Sequence, residues 1–305
     1  LTKFIQSVSI TNKKTAYQYN YRILFFEKFL KQQYNIDLDE LIQKIKVSAY
    51  NVYDILNDYC LFLNKNYNIG TSAFRYKLTT VKNFLEYHDI EISPRKFKVK
   101  IRIPKNIVRH KEALDKEEII KILHGCSDLR LKTYVMLLAS TGLRATEALS
   151  IRLKDLDIES EPAKLTIRGE YTKTKVDRYV FLTKEITEQF ERLIDFKYRK
   201  RRICNIDKKT GKTKSEYRTP EKKPTELLFS INRTSYPKPE MLYIHLGGIF
   251  SKTLDRIGMG KREDGNESRR QITLHSFRRF VKSTISDLGY ADYSEWFIVH
   301  SGHAF

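Results

Sequence analysis

No apolar run in this sequence approaches the roughly 18 to 20 residues that a helix needs to cross a bilayer, so no membrane span is expected. Cysteine is also scarce. Cys60, Cys126 and Cys204 stand far apart and odd in number, which leaves no disulfide framework and no Cys-x-x-Cys metal site to read. A reducing, cytoplasmic setting is the expectation. Acid is the third deficit: 37 Asp and Glu face 57 Lys and Arg, a formal charge of +20 over 305 residues. That imbalance favours a polyanion as partner, nucleic acid ahead of a membrane surface. With 41% hydrophobic residues the chain is not disordered as a whole, and its length allows two domains with their own cores.

Residues 1–93 read as a helical domain. Ile23, Phe26, Phe29 and Leu30 fall on one helical stripe, Ile55, Leu56, Tyr59, Phe62 and Leu63 on a second, and Phe74, Leu78, Val81, Phe84, Leu85 and His88 on a third. Three or four amphipathic helices with short polar loops make a small bundle. His88, on an apolar edge, reads as a packed or rim histidine and not as a ligand.

Pro94 marks a boundary, and residues 94–111 read as a basic linker. Eight Lys or Arg and no acid lie between Arg95 and Lys111, with Lys96, Lys98, Lys100 and Arg102 alternating against Phe97, Val99, Ile101 and Ile103. An extended backbone would put those four cations in a row matched to a phosphate backbone. The alternative is an edge strand whose lysines discourage aggregation.

A second domain spans 112–305. Asp115 and Glu118 form a capping-box pattern ahead of a helix over Lys116 to His124, and an apolar helix follows over Lys132 to Ala139. Then comes Thr141-Gly142-Leu143-Arg144-Ala145-Thr146-Glu147. Gly142 ends one helix and puts Arg144 at the start of the next, with Glu147 one turn on, where it either orients a guanidinium or makes a surface pair. Leu165, Ile167 and the run Tyr179 to Leu182 read as a small sheet whose connecting loop, Gly169 to Lys175, carries lysines on a flexible arm. A helix over Lys184 to Arg202 and a polar insertion over Lys208 to Lys223 follow. Nine basic residues and the single acid Asp207 lie within 197–214, as a solvated loop or one that contacts DNA.

Near the C-terminal end, Leu274-His275-Ser276-Phe277-Arg278 opens a helix over about Thr273 to Leu288, which carries His275 and Arg278 on one face. An imidazole moves protons near neutral pH and a guanidinium fork fits two phosphate oxygens. The pair suits a reacting phosphodiester.

The order Thr141-Gly142-Leu143-Arg144-x-x-Glu147, a hairpin lysine, His275-x-x-Arg278 and a His about 22 residues later resembles the catalytic domain of the tyrosine recombinase and phage integrase family. Gly169-Glu170-Tyr171-Thr172-Lys173 and Ser294-Glu295-Trp296-Phe297 look most like integrases of archaeal mobile elements. The resemblance implies a mainly α fold with a small antiparallel β-sheet, built as a two-domain clamp from a helical core-binding domain and a mixed α/β catalytic domain.

It also implies roles. Arg144 and Arg278 would hold the non-bridging oxygens of the scissile phosphate, Lys173 would protonate the leaving 5′ oxygen with Lys175 as the competing candidate, and Glu147 would buttress them. His275 would assist proton transfer at the nucleophile. The second histidine is His300, within Ile298-Val299-His300 where the family carries Leu-Gly-His; His303, after Gly302, is the other candidate. Lys96, Lys98, Lys100, Arg102 and Lys175 are the expected DNA contacts. The implied partner is double-stranded DNA at a specific site, bound by four protomers on two sites when full length, with no metal and no cofactor. The family's tyrosine lies downstream of this histidine, and none follows His300. The expectation is therefore that the nucleophile comes from a C-terminal extension or another subunit. Two other readings share these residues: a non-catalytic DNA-binding protein that keeps the clamp, and a relaxing type IB topoisomerase.

Overall fold

Asn12 ends one helix and begins another, its side chain accepting the backbone N–H groups of Lys14 at 2.9 Å and Thr15 at 3.1 Å. The computed structural model describes residues 1–105, 112–172, 175–206, 211, 213–230, 238–263 and 266–298, in two units, Leu1–His110 and Lys111–Phe305.

In the first unit α1 (Thr2–Thr11) leads into α2 (Lys13–Tyr34), which stops where Asn35 turns left-handed at φ 53°. The chain continues through α3 (Leu38–Lys46), started by an Asp37–Glu40 capping box, α4 (Val52–Asn66) and α5 (Thr71–Tyr87). The three stripes read from sequence meet here. Tyr59 lies 4.9 Å from the ring of Phe26 and 5.1 Å from that of Phe29, and all three are fully buried. Each such side chain contributes roughly 1.5–3 kcal/mol of burial free energy. His88 caps α5 with its ring edge-on to Phe84 at 4.8 Å, and loss of solvent lowers its pKa. It is the packed rim residue the sequence suggests.

The extended row of cations does not form. Ser93 accepts the N–H of Lys96, Pro94 occupies the first helical turn, where its fixed φ costs nothing, and α6 (Pro94–Lys100) results. Local capping outweighs the alternation of apolar and basic residues. Phe97 leans on the core and Ile101 is buried in it, so the segment up to Ile103 is docked on the first unit. Lys96, Lys98, Lys100 and Arg102 remain exposed, but the helical period puts Lys96 and Lys100 on one side and Lys98 on another.

The second unit opens with α7 (Lys116–Gly125), capped by Asp115 and Glu118 as expected, then α8 (Leu129–Thr141) and α9 (Ala145–Leu149). α8 is the centre of the core. Leu131, Tyr134, Val135, Leu137 and Leu138 are all buried. β1 (Leu156–Asp157), β2 (Lys164–Ile167) and β3 (Arg178–Phe181) form an antiparallel sheet in that order. Leu165 pairs with Val180 and Ile167 with Arg178. α10 (Lys184–Tyr198) follows, four residues shorter than expected.

The Lys-rich insertion is a second correction. Instead of a polar loop, β4 (Arg201–Ile206) pairs antiparallel with β5 (Thr213–Arg218), a pairing that Ile206, Thr213 and Tyr217 favour by their β-branched and aromatic shapes. The basic run preceding it also divides. Lys197 is buried, its Nζ donating to Leu227 O at 2.6 Å and Ser230 Oγ at 3.0 Å, so it staples α10 to the 227–230 segment and has no part in a solvated face. α11 (Pro239–Arg256), the hairpin β6 (Arg262–Glu263) and β7 (Asn266–Arg270), α12 (Leu274–Asp287) and α13 (Ala291–Phe297) complete the unit. No described helix is long and apolar enough to cross a membrane.

Candidate active site

The site is built around the turn after α8. Gly142 adopts φ +63°, and a Cβ there would stand 3.2 Å from Ile298 Cγ2 and from Val281 Cγ1. Only glycine meets both demands. The turn makes Arg144 the residue that starts α9, and Glu147, one turn on, folds back to it: Oε2 accepts the Arg144 backbone N–H at 3.3 Å and Oε1 accepts its Nη1 at 2.8 Å.

Glu147 is not a surface pair. Its side chain is 1% exposed, and Arg178, the first residue of β3, donates Nη2 to its Oε2 at 2.7 Å. Burial pushes the carboxyl's pKa up, but the charge of Arg178 and the hydrogen bonds from both arginines outweigh it, and the net shift is downward. One ionised carboxylate thus sits between two guanidinium groups.

Arg278 reaches the same turn from α12. It is 3% exposed; Nη1 donates to Gly142 O at 2.6 Å and Nη2 donates to Ile298 O. Burial, then the nearby Arg144, brings its pKa down to about 10, with Arg178 adding to the same effect. It remains a cation at neutral pH. Three guanidinium groups around one carboxylate leave net positive charge, which suits an anion with several oxygens.

The lysine loop is braced from below. Gly169 N–H donates to Asp177 Oδ1 at 2.5 Å, and a Cβ on Gly169 would lie 2.7 Å from Lys175 O, so the returning chain crosses directly over this glycine. Glu170 is held by Arg152 at 2.8 Å, and Arg168 is anchored on buried Asp155 at 2.8 and 2.5 Å. Lys175 sits at φ +60° and its Nζ donates to Glu170 O at 3.3 Å, back into its own loop.

Of the residues singled out from sequence, Arg144, Glu147 and Arg278 are brought together. His275, exposed at the start of α12, lies one turn before Arg278. Lys173, His300 and His303 lie outside the described residues. Lys96, Lys98, Lys100 and Arg102 belong to the first unit. Tyr290 and Tyr293, at α13, are exposed. Arg178 was not anticipated. Its only signal in sequence is the alternation of β3, which turns Arg178 and Val180 inward and Tyr179 and Phe181 outward.

Comparison with known proteins gives a consistent picture. The model of the phage integrase family matches residues 112–286, more than half of the chain. Tyrosine recombinase XerA of Saccharolobus solfataricus is 34% identical over 153 residues, covering 46% of this chain and 48% of the relative, so the chain spans about half the length of this curated relative. Among solved structures, the Tn1549 transposon integrase in complex with transposon right end DNA superposes with TM-score 0.56 at 15% identity, covering 93% of this chain and 91% of that one. A lambda integrase tetramer bound to a Holliday junction gives TM-score 0.53 at 14% identity, covering 92% and 77%. At these identities the likeness is one of fold.

Proposed function

This chain belongs to the phage integrase family, and from that premise we propose that its protein is a site-specific DNA recombinase that breaks and rejoins strands through a 3′-phosphotyrosyl intermediate. One observation carries the reading. The hydrogen bond from Arg278 to Gly142 O ties α12 to the turn that presents Arg144, so two cations from distant parts of the sequence belong to one turn, where the buried Glu147 pairs with Arg144.

In this reading Arg144 and Arg278 hold the non-bridging oxygens as negative charge grows on five-coordinate phosphorus. Lys173, or Lys175 beside it, protonates the leaving 5′ oxygen; desolvation against DNA and neighbouring cations eases release of its proton. His275 assists proton transfer at the nucleophile, and His300, with His303 as its competitor, donates to the phosphate. The nucleophile in this reading is a tyrosine, supplied in cis or by another subunit. Its ester stores the bond energy, and a 5′ hydroxyl of the partner strand releases it without a cofactor. In this reading 1–93 binds DNA, the basic segment 94–111, which begins as the helix α6 docked on the first unit, adds Lys96, Lys98, Lys100 and Arg102 as DNA contacts, and 112–305 carries the chemistry. Four protomers act on two DNA sites in the cytoplasm of the cell that hosts the mobile element.

The test is a nicked duplex of the cognate site that sheds a short 5′ fragment on cleavage, incubated with the protein at the full length its gene encodes. A covalent adduct that survives denaturation and disappears in Arg144→Ala supports the recombinase. A second reading has its own observation: Nη1 and Nη2 of Arg278 each donate to a backbone carbonyl, as suits a scaffold residue in a non-catalytic DNA-binding protein. Tight, site-specific binding with no adduct would favour it.

A further inference from the structure

Arg178 begins the strand that leaves the lysine loop, and its neighbours in chain and space fix two things at once. Asp177 takes the Gly169 N–H and closes the base of the loop. Arg178, the next residue, takes Glu147 Oε2 at 2.7 Å, while Oε1 is left for Arg144 at 2.8 Å. We infer that Arg178 is a positioning residue for strand cleavage, holding Glu147 so that Arg144 faces the phosphate and tying that pair to the base of the lysine loop. The inference rests on the recombinase reading and adds a residue to it.

The geometry explains why a second cation is required. A buried carboxylate with one guanidinium partner draws that partner into a two-pronged pair. Shared between two, it takes one side-chain nitrogen from Arg144 and does not draw the whole fork into a two-pronged pair. The backbone N–H of Arg144 shares Oε2 at the longer distance of 3.3 Å, so Arg178 is the charged partner that keeps this oxygen from the Arg144 side chain. Arg178 also has a buried nitrogen, Nη1, with no hydrogen-bond partner among the described residues. Such a donor is costly for a group whose only task is to staple a sheet to a helix. After burial itself, the charge of Arg178 is the largest influence on the Glu147 carboxyl, and it acts downward. Arg178 therefore also keeps Glu147 ionised.

The experiment measures single-turnover cleavage of the suicide duplex, DNA affinity, and the pH dependence of both, for Arg178→Met, Arg178→Lys and the double variant Arg178→Met, Glu147→Gln in the full-length protein. Arg178→Met is expected to slow cleavage about 10- to 100-fold with DNA affinity within about threefold, and to move the acid limb of the pH–rate profile upward, because Glu147 loses the charge that holds its pKa down. Arg178→Lys, which keeps the charge and loses the fork, is expected to hold the acid limb in place with a severalfold slower rate. Adding Glu147→Gln removes the titrating group and with it the shifted limb. Wild-type cleavage in folded Arg178→Met overturns the inference. So does an equal loss of affinity and rate with the acid limb unmoved, because that is the mark of a structural role. Should Arg178→Met fail to fold, Arg178→Lys carries the test, and cleavage at the wild-type rate overturns the inference. If Arg144→Ala also cleaves normally, the recombinase reading itself falls.

Discussion

Arg278 donates through Nη1 to the carbonyl oxygen of Gly142 at 2.6 Å, across 136 positions of sequence. The contact links the last long helix of the second unit to the tight turn that starts α9, and Ile298 O takes the other nitrogen of the same fork. A residue read from sequence as a ligand for DNA is thus also a strut. Arg278→Lys keeps the charge but cannot span both carbonyls, and the loss of one such buried bond is expected to destabilise the protein by about 1–3 kcal/mol. Cleavage should fall by about 10²- to 10³-fold. Denaturant titration beside single-turnover cleavage separates the two effects; an unchanged midpoint would refute the strut.

Gly142→Ala places a Cβ into a left-handed turn and 3.2 Å from two side chains. The backbone strain alone is expected to cost about 1–3 kcal/mol, read as a lower unfolding midpoint. Wild-type stability would show that the turn relaxes at no cost.

Glu147→Gln tests the shared carboxylate through pH. The folded pKa of Glu147 lies below its ordinary value, so its contribution to stability is complete above the unfolded pKa of about 4.3 and is lost as pH falls through the folded value. Glu147→Gln should be less stable than the parent by about 3 kcal/mol above pH ~5, and the gap should narrow below pH ~4. Urea melts at pH 3.5, 5 and 7 check this. A gap that stays constant across that range would remove the ion pairs as its cause.

Gly169→Ala drives a Cβ against Lys175 O, 2.7 Å away, and so reshapes the arm that carries Lys173. Cleavage is expected to slow by about 10-fold or more with DNA affinity retained. Equal loss of both would assign the loop to binding.

The basic helix gives a test by salt. Charge reversal at Lys96 and Lys100, one turn apart, should reduce the slope of log affinity against log salt by about 0.9 for each DNA phosphate that is no longer neutralised. Reversal at Lys98, on another side of α6, should act differently in size. Identical effects at all three would mean that the helical side is irrelevant to binding.

The buried stripes of α2, α4 and α5 were legible because apolar residues at three- and four-residue steps admit one helical face. Asp115 and Glu118 announced α7 by capping chemistry alone. Of the candidate site, local pattern indicated that Arg144 opens a helix after Gly142 and that Arg278 lies on a helix, and both do; that the two belong to one site came from the family resemblance. What was not legible depended on contacts between distant segments. Lys96 to Ile103 carries a strand's alternation, yet Ser93 and Pro94 form a helix start and Ile101 finds a core position. Arg201 to Arg218 is polar enough for a loop, and its pairing becomes visible only with both strands side by side. Glu147 looks like any Arg-x-x-Glu helix pair until α9 is buried. Arg178 then has a reason to face inward, which no local pattern supplies.

The carboxylate shared by α9 and β3 has a consequence for how this site can change. Glu147 is fitted to Arg144 through one oxygen and to Arg178 through the other. An Asp at 147, one methylene shorter, would reach one guanidinium and abandon the other; a single exchange at either arginine would strand the acid. Drift at these three positions must therefore pass through intermediates that leave a buried charge without its partner, or move in concert, and single substitutions there are expected to lower stability.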